Sequence, residues 1–227
     1  MFKNFMALWK GKDFLTEVLE DFKKMLNDSK CMFNSVIAGL IEGKTPPDLK
    51  SKIYEMDRRV NRVEREIRKR IVEHLAIQPS VDVPVSLVFM SVVKDAERVG
   101  DYCKNIFELI ALLGKPLDNK IYQSFFNGIE GQITDLFAKT EKAFIKSDEE
   151  LAREILSKER KIMKNCDEIV GKLAKSSLST NEGVCLALLA RYFKRVAAHL
   201  TNIGSSVILP VSDLDFFDEK LRQDREE

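Results

Sequence analysis

Val93-Lys94-Asp95-Ala96-Glu97-Arg98-Val99-Gly100-Asp101-Tyr102-Cys103-Lys104-Asn105-Ile106-Phe107-Glu108 carries the strongest structural signal in this chain. In and around it, Val92, Val93, Ala96, Val99, Cys103, Ile106, Ile110 and Leu113 recur at three- and four-residue steps. That is the spacing of an amphipathic helix. Glu97, Asp101, Asn105 and Glu108 recur at the same steps and form an oxygen-rich row along it. Acids at i and i+4 lie roughly 6 Å apart at Cβ and repel one another, and a cation between them relieves the repulsion. Later in the chain, Lys194-Arg195-Val196-Ala197-Ala198-His199-Leu200-Thr201-Asn202-Ile203 lines up with the stretch from Glu97 to Ile106. Arg, Val, Asn and Ile match, while the two carboxylates become Lys194 and Ala198. The chain reads as a duplication whose second copy has lost its acids.

The helical pattern repeats along the whole chain and no strand pattern competes with it. A first long helix is expected over 14–42, with Gly43 stopping it and Thr45-Pro46-Pro47 opening the next element. A second covers 48–77 with a near-heptad seam and an unusually charged remainder, read as a solvated face. Asp57, Asn61 and Glu64 form one row beside that seam, placed to face the acids of the third helix, 83–113. Gly114-Lys115-Pro116 is the best internal boundary. The second copy is expected as helices over 118–145, 148–175 and 183–209, with Ser147-Asp148-Glu149-Glu150 as a cap followed by first-turn acids. A short aromatic helix over 2–9 and a polar tail from 211, able to dock a last short helix, complete the chain. The architecture expected is all-α: six long helices in two tandem three-helix sets, antiparallel because the turns are short. The units are 1–114, 115–210 and the tail 211–227.

Composition narrows the function classes. With 227 residues, 44% hydrophobic and 32% charged, the chain is long enough for a sizeable core and charge-rich in the manner of helical proteins. A net charge of +1 gives no pull towards nucleic acid or anionic lipid. Acids interleaved among the arginines of the second helix argue against RNA binding there. Cys31, Cys103, Cys166 and Cys185 form no CxxC pair, which suits free thiols in a reducing, cytoplasmic setting. No apolar run reaches the roughly 18 residues of a membrane-spanning helix, and the first residues lack signal-peptide features. A Gly-rich phosphate loop, a nucleophile elbow and an HExxH pair are all missing, and neither His74 nor His199 has a Glu three residues upstream. An enzyme is not expected.

Glu97-Arg98-Val99-Gly100-Asp101 followed by Asn105-Ile106, with Asp57, Asn61, Glu64 and Gln78-Pro79 on the preceding helix, resembles the PhoU family, over roughly residues 14–209. The resemblance implies two tandem three-helix bundles related by a pseudo-twofold axis, each with an E-x-x-x-D-type motif in its third helix. It implies a non-catalytic regulator of phosphate uptake and phosphate-starvation signalling. Such a protein binds a membrane phosphate transporter, a sensor kinase or both. It implies a cytoplasmic homodimer, peripheral at the inner membrane face through its partner. It also implies a metal on acidic surface patches: Fe, Mn, Mg or Zn. Carried over, Glu97, Asp101, Asp57 and Glu64 would be the ligands, with Asn61 and Asn105 supporting them. An oxygen-only set suits Mg²⁺, Mn²⁺ or iron. In the degenerate second site Glu159 stands for Asp57, Met163 and Cys166 for Asn61 and Glu64, and His199 follows the motif. There Lys194 is expected to take the place of a cation and to pair with Glu159 or a neighbour on its own helix. The alternative is a metal-free helical scaffold or the accessory of a different transporter.

Overall fold

The computed structural model describes residues 13–43, 45–78 and 82–214. Its helices are α1 (Asp13–Glu42), α2 (Leu49–Ile77), α3 (Val83–Leu113), α4 (Asn119–Phe126), α5 (Ile129–Lys146), α6 (Glu149–Leu173) and α7 (Thr180–Ser205), followed by a 3₁₀ turn at Val211–Asp213. No strand occurs among the described residues. The aromatic helix expected over 2–9 and the tail beyond Leu214 lie outside the described residues.

The stops lie where the residue chemistry puts them. Gly43 and Gly114 close α1 and α3 with φ of +64° and +66°, a conformation a Cβ would strain. Asp148 caps α6, accepting the Leu151 N–H at 3.0 Å. Ser179 and Glu182 form a capping box, so α7 starts at Thr180, earlier than the apolar periodicity predicts.

One expectation fails. The single helix over 118–145 is two helices, because Asn127 and Gly128 both turn left-handed, with φ of 44° and 78°. Two consecutive residues in that region cannot continue a right-handed helix. The hinge is held from both sides. Tyr122 stacks on Phe126 with ring centroids 4.7 Å apart, and its hydroxyl donates to Glu130 across the break at 2.7 Å.

α1, α2 and α3 pack as one trio and α5, α6 and α7 as another; α3 lies along α7 and α1 against α5. The hydrophobic core does not divide between the trios. Phe33 of α1 meets Phe137 of α5 and Phe193 of α7 at 5.6 and 5.9 Å. Nearer the other end, Phe144 packs against both Phe22 and Phe89 at 4.8 and 5.5 Å. Each of the two apolar clusters therefore draws side chains from both halves. Polar ties reinforce the joint: Asn181 donates to the Leu112 carbonyl at 2.8 Å, and Lys115 meets Glu182 at 2.8 Å.

Candidate functional site

The acidic row of α3 faces α2 at the surface groove between them, as the two sequence rows require. Asp57 is buried, and Glu97, Asp101, Glu64, Asn61 and Asn105 are half-buried. The groove already holds a cation that sequence reasoning passed over. Lys104 donates from Nζ to Asp57 Oδ1 and to Asp101 Oδ1, both at 3.1 Å. Burial disfavours that ammonium, but the hydrogen bonds to the two aspartates outweigh it and raise its pKa above the ordinary lysine value. Arg98 reaches Asp101 at 3.2 Å and Glu97 at 3.6 Å, Arg68 reaches Glu64 at 2.9 Å, and the Tyr54 hydroxyl donates to Glu108 at 3.1 Å. No side-chain hydrogen bond joins Asn61 or Asn105 to the acids among the described residues.

Glu97 is the perturbed member of the row. Burial pushes its carboxyl up to about 7, with the neighbouring charge of Asp101 next in effect; Arg98 opposes the rise and Glu64 adds to it. Between about 4.5 and about 7 the folded chain keeps a proton that the unfolded chain has lost, so stability falls as pH rises through that window. Glu97→Gln is expected to leave stability unchanged near pH 4 and to raise it by about 1–2 kcal/mol near pH 8, allowing for solvent screening. Urea unfolding at the two pH values checks this.

These residues, as arranged, do not fit the divalent ion that the resemblance implies. The ammonium of Lys104 stands between two of the four expected ligands. Among the described residues, no three His, Cys, Asp or Glu side chains converge to hold a metal.

In the second half, Lys194 does not turn to its own helix. Its Nζ donates to Asp167 of α6 at 2.7 and 2.6 Å. Glu159 lies on the same helix and is buried, 4% exposed. His199 is not part of that site: it points to the other half. Its Nδ1 lies 2.7 Å from Asp95 Oδ1, and Asn202 Nδ2 donates to the same oxygen at 3.1 Å. Arg195 Nη2 makes a long contact, 3.5 Å, to His199 Nε2, and Arg195 Nε donates to the Tyr102 hydroxyl at 3.2 Å. Nδ1 is thus the ring nitrogen that faces the Asp95 carboxylate, and Nε2 the one that faces the Arg195 guanidinium. Tyr102 and His199, equivalent positions in the two copies of the motif, stack on each other with centroids 5.7 Å apart. The motifs thus meet at the α3–α7 seam. The other histidine also has a carboxylate: His74 Nε2 lies 2.9 Å from Asp82 Oδ2.

Three of the four thiols are withdrawn from solvent, and Cys31 is exposed. Cys103, Cys166 and Cys185 are buried, and burial raises all three pKa values, that of Cys166 to about 12.

Comparison with known proteins fits this geometry. The PhoU domain family model matches twice, over residues 22–110 and 129–207, once in each trio. The phosphate-specific transport system accessory protein PhoU homolog 1 of Thermotoga maritima is 24% identical over 114 residues; the match spans 50% of this chain and 47% of that relative. The crystal structure of PhoU from Pseudomonas aeruginosa superposes with a TM-score of 0.76 at 20% identity, covering 86% of this chain and 95% of that one. The phosphate transport system regulatory protein PhoU from Streptococcus pneumoniae gives a TM-score of 0.70 at 18% identity, with the same coverage. With both trios matched over well more than half of its length, the chain belongs to the PhoU family.

Proposed function

We propose that this chain is a non-catalytic accessory protein of phosphate uptake that docks, on the cytoplasmic side, to a membrane phosphate transporter and to the sensor kinase reporting phosphate starvation. The observation that carries the reading is the PhoU domain match in both trios, supported by the accessory role in the curated relative's name. The physical chemistry agrees with a docking body. Among the described residues no helix is long and apolar enough to cross a membrane, so the reading places contact with the membrane on a partner. The structure offers charged helix faces for contact, with Arg58 and Arg62 of α2 and Arg191 and Arg195 of α7 all exposed.

Deleting the gene tests this. In phosphate-replete medium the deletion is expected to switch on phosphate-starvation genes and to change the rate of radiolabelled phosphate uptake, with both restored by the intact gene. Unchanged expression and uptake would leave the chain as a scaffold for some other system.

A further inference from the structure

We propose that this protein works without a metal, because in each half the third helix supplies a lysine ammonium where an ion would otherwise balance the acids. In the first half, Lys104 bridges Asp57 on α2 and Asp101 on α3 at 3.1 Å to each. That is the position a bridging cation would take. The three side chains are largely withdrawn from water, 22%, 10% and 26% exposed, so the charges are weakly screened and a second cation entering the groove meets strong repulsion. Arg98 takes the second oxygen of Asp101 and reaches Glu97, and Arg68 reaches Glu64.

In the second half the lysine meets one exposed carboxylate, and among the described residues no pair of withdrawn acids is bridged. Lys194 replaces Glu97, Ala198 replaces Asp101, and Thr201, buried, stands at the position of Lys104. Its lysine holds Asp167 of α6 at 2.6 Å. The two halves place the lysine at different points of the row, and neither presents a bare cluster of acids. A tethered ammonium cannot dissociate, so the charge balance of the groove is permanent and occupancy by a metal is not the signal this protein reads.

Calorimetric titration of the chelator-stripped full chain with MnCl₂ tests this apart from phosphate transport. The wild type is expected to show no saturable binding. Lys104→Met, which frees Asp57 and Asp101, is expected to gain saturable binding of one Mn²⁺ per chain, at least about tenfold tighter than any residual binding by the wild type. Adding Asp101→Asn should remove the gain. One-per-chain binding to the wild type that Asp57→Asn or Asp101→Asn abolishes would overturn the proposal. So would a Lys104→Met chain that keeps its helical circular dichroism and gains nothing. The wild-type titration decides the matter even where a variant does not fold.

Discussion

Phe33→Ala is expected to destabilise the whole chain by about 3–5 kcal/mol, and to do so in both halves at once. Phe33 is fully buried on α1, yet its aromatic neighbours Phe137 and Phe193 belong to the other trio. Truncation removes the transfer free energy of a benzyl group and leaves a cavity that two helix trios would have to move together to close. Surrounding side chains from both halves are fully buried and have little freedom to fill it. Since the cluster contains residues from every long helix, the loss cannot be confined to one repeat. Calorimetry should show a single transition shifted to lower temperature. A variant in which one half melts early while the other keeps its wild-type transition would show that the repeats fold as separate units.

Asp95→Ala is expected to cost about 3 kcal/mol, with the damage centred on the α3–α7 seam. Asp95 is 6% exposed and accepts hydrogen bonds from two side chains of the other half, His199 at 2.7 Å and Asn202 at 3.1 Å. Removing the carboxylate strands both donors in a half-buried setting, and each stranded group costs about 1–3 kcal/mol. It also frees the imidazole on which Arg195 and Tyr102 are arranged. Asp95→Asn keeps an acceptor of the same shape and should lose only about half as much. Urea unfolding of Asp95→Ala, His199→Ala and the Asp95→Ala/His199→Ala double variant closes a double-mutant cycle, with Asp95→Asn measured beside it. Additive losses in that cycle would mean that Asp95 and His199 are not coupled.

Much of this was legible in the sequence, and the failures have physical reasons. Helix ends at Gly43 and Gly114 are written in single residues, because the left-handed conformation has few other tenants. The break at Asn127-Gly128 was equally local, a strong turn dipeptide. It was outweighed by the apolar stripe running through Phe126 and Ile129, which are buried in the separate helices on either side of it. Lys104 was in plain view, seven residues after Glu97 and so on the row of Glu97 and Asp101. Reading the row through Asn105 favours oxygen and passes over Lys104, the side chain that bridges Asp57 and Asp101. The partners of Lys194 and His199 were not legible. Asp167 is reached only once α6 and α7 take their register, and Asp95 only once the two trios dock. Tertiary register of this kind leaves no mark at helical spacing.

Both motifs meet at the α3–α7 seam. The proposed function, taken with a groove that needs no metal, predicts that the chain engages a phosphate transporter with no ion between them. The test is binding of the purified chain to the detergent-solubilised phosphate permease of the same organism, measured by biolayer interferometry in excess EDTA. Saturable binding, unchanged when Mn²⁺ replaces the chelator, is the expected result; no binding in EDTA, with binding restored by Mn²⁺, would contradict it.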